Sequence, residues 1–530
     1  CLGALAGLRE CRLVPGDPLG DVHELLDHWA ERFPDEVYVT DGSRSLTWDE
    51  MRRWTHRVGN WLAGELRPGE RFCLLDRNSL EMIALYFGAS RAGVVPVPLN
   101  FRLAPQEWKY IAEDAGCRLA VVHEDYAQAL TAAVPGITAS VIRDDSPSRL
   151  RFAEEVAATS DDAIDRDVPA EAIYHQMYTS GTTGKPKGAM VSHRAACTNA
   201  LQIQLALSSV RRATLCVMPL FHAGAALQIL AYTSGGCSVH VVRDFDRTTV
   251  LREMSERRIQ LLTLAPAMIQ GMIEDPLAAQ LDFSALELMV YGSAPMAVEL
   301  VKRAMEVFGC DFAQAYGMTE TTAVATILAP EDHRRAVAGR PDILASAGRP
   351  VLGSAVRVVG RDGEPLPVGA VGEIVVRGPQ LMDGYWGLEE ASRAALAGGW
   401  MHTGDAGYLD AEGLVFISDR VKDMIVSGGE NIYPREIEEV LFEMPGIADV
   451  AVIGVPSERW GESPVAVVVL AAGATVTEQM VLEHCRANLA KFKCPVSVTF
   501  VDALPRSAVG KVLKRDLREP YWQGMDRRIN

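Results

Sequence analysis

Residues 178–188 read Tyr-Thr-Ser-Gly-Thr-Thr-Gly-Lys-Pro-Lys-Gly, and the elements that flank this run decide the fold. Three glycines, four aliphatic hydroxyls and two lysines fall within it. Glycine lets backbone N–H groups turn toward phosphate oxygens, while the hydroxyls and lysines add donors and positive charge. It is not a Walker A loop: only two residues separate Gly181 from Gly184, and Pro186 stands where a magnesium-binding hydroxyl should be. A loop of this kind suits the end of a buried strand, beyond which α/β sheets bind their ligands.

Outward from that run the pattern alternates helix and strand. Val22, Leu25, Leu26, Trp29 and Phe33 recur at helical spacing after Asp21, a candidate N-cap. Thr47 and Glu50 form a capping box leading into Met51, Trp54, Val58 and Trp61. Strand-like runs follow at 71–75, 94–98, 215–218, 238–242 and 286–291, which favours buried, largely parallel sheets. From Val351 the texture changes to short strands at 356–359, 373–377 and 414–418, separated by Asp-Gly, Gly-Asp and Glu-Gly turns. After Arg420 comes a compact mixed segment: a helix begun by Pro434, then strands near 448–454 and 465–470. Residues 418–422 are therefore the expected domain boundary.

The chain has 530 residues, room for several folding units, and its 48% hydrophobic and 23% charged content is that of a globular protein. A formal charge of −17 repels polyanions, so nucleic acid and anionic membranes are not expected partners, while a small anion needs local cations or a metal. The ten cysteines are scattered without Cys-x-x-Cys or zinc spacing. No apolar run nears the ~20 residues of a membrane helix. The short stretch from Cys1 to Leu8 lacks the charged start and the length of a signal peptide. The expectation is a cytoplasmic protein with no integral membrane association.

The 178–188 run resembles the signature loop of the adenylate-forming superfamily: acyl- and aryl-CoA synthetases, amino-acid-activating domains and beetle luciferases. The resemblance runs from about Leu46 to Lys511, with further motifs in the family's order. It implies an α/β fold: a large N-terminal domain (1–419) with parallel-type sheets and a small β-barrel (351–419), plus a smaller α+β lid (420–530) hinged at Lys422. It implies that Thr179, Ser180, Gly181, Thr182, Thr183, Gly184 and Lys187 bind ATP. Tyr291-Gly292-Ser293-Ala294-Pro295 is similar to the loop lining the adenine and acyl sites. Ala315-Tyr316-Gly317-Met318-Thr319-Glu320 looks like the segment that stacks on adenine through Tyr316 and holds Mg²⁺ through Glu320, with Thr179 as hydroxyl companion; hard oxygen donors suit that ion. Asp405, in Trp400-Met-His-Thr-Gly-Asp405, would accept both ribose hydroxyls, and Arg420 would touch ribose or phosphate. Ser427, Gly428 and Gly429 resemble the turn beside the coenzyme A tunnel. Lys511, in Pro505-Arg-Ser-Ala-Val-Gly-Lys511, would bridge carboxylate and α-phosphate as charge develops; serine stands at 507 where the family commonly has threonine.

Phe221-His222-Ala223-Gly224 borders the acyl pocket in this resemblance, together with Tyr291. Amino-acid-activating members carry an aspartate where His222 stands, so an amino acid substrate is disfavoured. His222 is either a packed core histidine or a group that gates the acyl entrance. The small residues 223–226 either leave room for a bulky apolar acid or allow close helix packing. Fatty, arylalkanoic and alicyclic or steroid-derived acids all fit. The expected activity is an ATP-dependent acyl-CoA synthetase: acid and ATP give acyl-AMP and pyrophosphate, then coenzyme A takes the acyl group and AMP leaves. Loading of a separate carrier protein is the first alternative. A luciferase-like oxygenase finds no oxygen chemistry here. A non-catalytic nucleotide sensor is the other class, opposed by the retained Lys187, Glu320, Asp405, Arg420 and Lys511. A homodimer is compatible with the sequence.

Overall fold

The computed structural model describes residues 20–523 except 43, 143–149, 165, 180–184, 294, 295, 297, 361, 421, 422, 428, 429, 458 and 507–511; for 150, 151, 420, 430 and 431 it describes the backbone. The chain divides into two compact units. One holds the described residues up to Arg211 with Leu220–Arg243 and Pro379–Leu388; the other holds Arg212–Pro219, Asp244–Gly378 and the described residues from Glu389 onward.

In the first unit the strands Val95–Pro98, Arg71–Leu75, Leu119–His123 and Thr138–Ile142 lie in that order, all parallel. In the first three the side chains are buried on both faces, as a parallel sheet covered by helices requires, while Thr138–Ile142 at the edge is partly exposed. Cys73, Leu75, Val97, Leu99, Ala120 and Val122 share one face with Trp108 and Ile111 of the Pro105–Asp114 helix. The helix Leu80–Ala92 is buried at every position but Glu81, so its apolar residues need no stripe. The capping box at Thr47 and Glu50 forms as expected, opening the helix Trp48–Glu65. Two further groups of paired strands lie in this unit. Val37–Asp41 pairs with Ser238–Val241 and Arg44–Thr47. The hairpin Ile173–Thr179/Lys187–Ser192 carries Gly384–Tyr385 at its edge.

The second unit begins with four parallel strands, Ala213–Cys216, Leu261–Leu264, Leu288–Gly292 and Asp311–Tyr316, continued by antiparallel Thr326–Leu328 and Arg349–Pro350. The first begins two residues before the apolar run at 215–218, because the ladder pairs Leu261 with Thr214, a buried polar residue that hydropathy passes over. The small β unit is an antiparallel sheet of Ala355–Val359, Gly372–Arg377, Met401–Leu409 and Val415–Arg420. Beyond it, Ile447–Ser457 and Gly461–Leu470 form a long hairpin, with Ser497–Phe500 parallel to the latter. Its alternation is strict: Val450 and Val452 meet the helices Pro434–Phe442 and Glu478–Asn488, while Ala451 and Ile453 meet Leu504. Among the described residues no helix is long and apolar enough to cross a membrane. The eight described cysteines form no disulfide with one another.

Candidate active site

The signature run is the connection of an antiparallel pair, in which Thr179 faces Lys187 and Tyr178 faces Gly188. Ser180, Gly181, Thr182, Thr183 and Gly184 lie outside the described residues. Their supports do not. The Tyr178 hydroxyl donates to Asp114 Oδ2 at 2.5 Å, and Tyr110 donates to the Pro186 carbonyl at 3.1 Å. The Trp386 backbone N–H donates to the Gly188 carbonyl, and its indole to the Asp114 carbonyl at 3.0 Å. A side chain at Gly188 would meet Gln176 Nε2 at 2.6 Å and Tyr178 Cζ at 3.0 Å, so both neighbours would have to shift to admit one. Lys187 lies with its ammonium 5.0 Å from the centre of the Tyr385 ring. Nothing in the local run marks Asp114, Tyr110 or Trp386: all three are distant in sequence.

In the second unit Leu288–Gly292 and Asp311–Tyr316 are adjacent parallel strands, so the two expected nucleotide loops leave the sheet side by side, Gly292 opposite Ala315. Backbones approach closely here. A Cβ on Gly292 would sit 2.7 Å from the Ala315 carbonyl oxygen, and one on Gly317 2.1 Å from that of Ala323. Ser293 and Thr322 adopt φ of +68° and +66°. A left-handed conformation costs an L-residue about 1–2 kcal/mol, and such strain gathers at ligand sites. Met318 and Thr319 lead into the short helix Thr319–Thr321, which buries Glu320 to 5% exposure. Ala294 and Pro295 lie outside the described residues.

The expected ribose turn is a bulge within Met401–Leu409 rather than a turn. Val375 pairs with His402 and Glu373 with Ala406, so Thr403, Gly404 and Asp405 oppose Ile374 alone. The Thr403 hydroxyl donates to the Ile374 carbonyl and accepts from the Asp405 N–H; the Gly404 N–H donates to Glu373 Oε1 at 3.0 Å. Gly404 takes φ +67°. The bulge directs Asp405 to Tyr316, whose hydroxyl donates to Asp405 Oδ2 at 2.6 Å. The adenine and ribose candidates, 89 positions apart, are thus joined directly. Glu373, which holds the bulge, has no signal in the sequence. Asp405 is also the ladder partner of Arg420, whose side chain lies outside the description.

For the acyl candidates, Leu220 is fixed from both sides in the first unit: Asn78 Oδ1 accepts its N–H, and Tyr86 donates to its carbonyl at 2.8 Å. Phe221 is buried edge-on against Phe101 at 5.6 Å. His222 is half-buried and precedes the helix Ala223–Ser234 without capping it through its side chain. Ala223, Ala225 and Ala226 are buried, while Gly224 is exposed with open space at its Cβ position. The small residues therefore serve both readings, close packing on one side and room on the other. Tyr291, in the second unit, is fully buried with its hydroxyl 3.1 Å from His333 Nε2; desolvation holds His333 down at about 4, hence neutral. Ser427 ends the strand Ile425–Ser427 opposite Glu430 and Gly461. Lys422, Gly428, Gly429 and Lys511 lie outside the described residues.

Among the described residues no group of three or more His, Cys, Asp and Glu could hold a metal ion. Thr179 in the first unit and Glu320 in the second each offer a hard oxygen, the donor type that suits Mg²⁺.

The glycine-, hydroxyl- and lysine-rich run and the Tyr316–Asp405 pair are features expected of an adenylate-forming enzyme, and comparison with known proteins shows that family. The chain belongs to the AMP-binding enzyme family: residues 26–386 match it, and residues 436–511 match the AMP-binding enzyme C-terminal domain. Its class is that of an acid–thiol ligase. It is 38% identical over 497 residues to a feruloyl-CoA synthase of an Amycolatopsis species, covering 93% of this chain and 97% of that one. It is 35% identical over 514 residues to the fatty acid–[acyl-carrier-protein] ligase ScoC of Streptomyces coeruleorubidus, covering 94% and 96%. Among solved structures it resembles ATP-bound MatB from Rhodopseudomonas palustris with a TM-score of 0.87 at 30% identity, covering 95% and 99%.

Proposed function

We propose that this protein is a cytoplasmic acyl-CoA synthetase for a fatty or other bulky apolar carboxylate. The direct Tyr316–Asp405 hydrogen bond carries the reading, because it fixes a ring and a carboxylate as one unit, the arrangement a nucleoside needs. Tyr316 stacks on adenine, with Gly292, Ser293, Ala294, Pro295, Ala315, Gly317, Met318 and Thr319 lining that site, and Asp405 accepts the ribose hydroxyls. Thr179 to Gly184, Lys187 and Arg420 bind phosphate or ribose, and Mg²⁺ held by Thr179 and Glu320 would neutralise phosphate charge. One carboxylate oxygen of the acid bonds to the α-phosphorus as the bond to the β-phosphate oxygen breaks and pyrophosphate leaves. Lys511 stabilises the charge that develops. The lid from residue 420 then turns at Lys422, Ser427 to Gly429 receive coenzyme A, and its thiolate attacks the acyl carbonyl with AMP as leaving group. The separate match of residues 436–511 supports a distinct lid. Phe221, His222, Ala223, Gly224 and Tyr291 are assigned to the acyl site, where Phe221 and Phe101 supply apolar surface.

A second reading, favoured by the similarity to the carrier-protein ligase, has a carrier protein in place of coenzyme A. The test is a panel of fatty, aryl and alicyclic acids assayed for pyrophosphate–ATP exchange and then for thioester formation with coenzyme A or a carrier. Exchange without coenzyme A and a CoA thioester are expected. Exchange that needs coenzyme A for every acid overturns the two-step scheme, and thioester formed only on a carrier replaces the acceptor.

A further inference from the structure

In the first unit, residues 76–79 link the parallel strand Arg71–Leu75 to the helix Leu80–Ala92. The link lies at the carboxyl end of that strand, where α/β sheets bind their ligands. Ser79 caps the helix by accepting the Met82 N–H at 3.1 Å, and its hydroxyl donates to Asp76 Oδ2 at 2.7 Å. The wholly buried Asp76 carboxylate also accepts the Arg77 N–H at 2.7 Å and lies 3.5 Å from the Arg243 guanidinium. Burying a carboxylate costs desolvation that such partners only roughly offset, so the link is specified in position more than it is stabilised.

What it holds is the segment 220–243. Asn78 is buried, its Oδ1 accepts the Leu220 N–H at 2.8 Å, and its Nδ2 donates to the Val242 carbonyl at 3.1 Å. One amide thus pins both ends of the excursion that carries Phe221, His222 and the helix Ala223–Ser234. Tyr86, on the helix that Ser79 caps, donates to the Leu220 carbonyl at 2.8 Å, so both backbone polar groups before Phe221 are fixed. A second route reaches the Phe221 ring. Arg77 Nε donates to the Tyr126 hydroxyl at 2.8 Å, the Tyr126 ring stacks on Phe101 with centroids 6.0 Å apart, and Phe101 meets Phe221 edge-on at 5.6 Å. Neighbours in the chain, Asn78 and Arg77 therefore govern the backbone that precedes Phe221 and the ring packed against it.

We propose that Asn78 and Arg77 are positioning residues for Phe221, and that through it they set which acids the acyl site accepts. This deepens the ligase reading above and rests on its assignment of Phe221 to the acyl site. An acid long or broad enough to lie against Phe221 uses the placed ring, and a small acid does not reach it. Loosening the link therefore discriminates by size, because lost apolar contact is felt only by the substrate that made it.

The experiment measures kcat and KM for the bulkiest and the smallest acids that the unsubstituted chain turns over, by pyrophosphate release. The variants are Asn78→Ala, Tyr126→Phe, Phe221→Ala and the double variant Asn78→Ala with Phe221→Ala, with thermal unfolding of each recorded alongside. Asn78→Ala lowers kcat/KM for the bulky acid about 10- to 100-fold relative to the small one, through KM for the acid, while KM for ATP stays within about threefold. Tyr126→Phe shifts the same ratio about threefold, as loss of one hydrogen bond to a guanidinium held on one ring should. In the Phe221→Ala background Asn78→Ala shifts it less than about twofold, since no ring is left to place. Equal losses for bulky and small acids, the same shift with and without Phe221, or a rise in KM for ATP as large as that for the acid overturn the proposal. Should Asn78→Ala not fold, Tyr126→Phe decides, because its ring still stacks on Phe101, and an unmoved ratio there overturns the proposal. Absence of acid-dependent pyrophosphate–ATP exchange in the unsubstituted chain overturns the ligase reading instead, and the positioning role with it.

Discussion

Two tyrosine–carboxylate hydrogen bonds of nearly equal length serve opposite ends. In the first unit Tyr178 donates to Asp114 at 2.5 Å, at the exposed base of the signature hairpin. In the second Tyr316 donates to Asp405 at 2.6 Å inside a nearly buried bulge. The first clamps a loop whose chemistry lies in its own eleven residues. The second joins the two residues proposed to hold adenine and ribose, which stand 89 positions apart in the chain. One geometry can thus brace a site or constitute one, and burial together with the identity of the neighbours decides which.

The comparison breaks most visibly at Asp405. On the proposed function, Asp405→Ala removes an acceptor for two ribose hydroxyls at about 1.5–3 kcal/mol each, so kcat/KM for ATP should fall about 10²–10⁴-fold. Asp114→Ala should leave kcat/KM within about threefold. Steady-state kinetics at varied ATP separates the two, and equal losses would erase the distinction.

Acid should separate the units next. In the first, burial holds His175 down at about 3 and His193 at about 4, so both fold neutral. The unfolded chain binds those protons below about 6.5, so this stability is present above that pH and is lost as pH falls toward 4. At pH 5 the loss is about 2 kcal/mol per histidine. Asp76, raised by burial to about 6, binds its proton in the fold and opposes part of this. The second unit has His333 at about 4. Hydrogen exchange between pH 7 and 5 should show the larger loss of protection in the hairpin strand Ile173–Thr179; a larger loss around Leu288–Gly292 would reverse the order.

Gly317→Ala sharpens the packing side. Its Cβ would fall 2.1 Å from the Ala323 carbonyl oxygen, an overlap costing about 1–3 kcal/mol, read as a lowered unfolding midpoint with a raised KM for ATP. The smallest effects belong to the hydroxyls themselves. Tyr316→Phe should raise KM for ATP about tenfold, the worth of one bond to a charged group. Tyr178→Phe should cost about 1 kcal/mol of stability and leave KM unchanged, as denaturant titration beside kinetics would show.

Much of the fold was legible because period and caps are local properties. The Thr47–Glu50 box, the Pro434 helix start and the strands near 448–454 and 465–470 all emerge at their places. Strand ends were less so: the strand at 213–216 includes buried Thr214, whose burial depends on its partner strand and not on its polarity. At the site, the density of glycine, hydroxyl and lysine in 178–188 announced phosphate chemistry. Asp405 was legible only as a member of a motif series, and the bulge that aims it was not legible, since Glu373 is 32 positions away and the pairing of Val375 with His402 leaves no local mark.

By itself, then, the sequence determined the alternating architecture, the local phosphate chemistry and, through ordered motifs, the kind of reaction. Those follow from backbone propensity, side-chain periodicity and the functional groups present within a few residues of one another. Only the tertiary structure decided that Tyr316 meets Asp405, that Asp114 braces Tyr178, and that Lys514 joins Asp419 and Glu438. Each of these joins residues far apart in the chain, and the distance across which a hydrogen bond or ion pair acts is set by folding, not by position along the polymer.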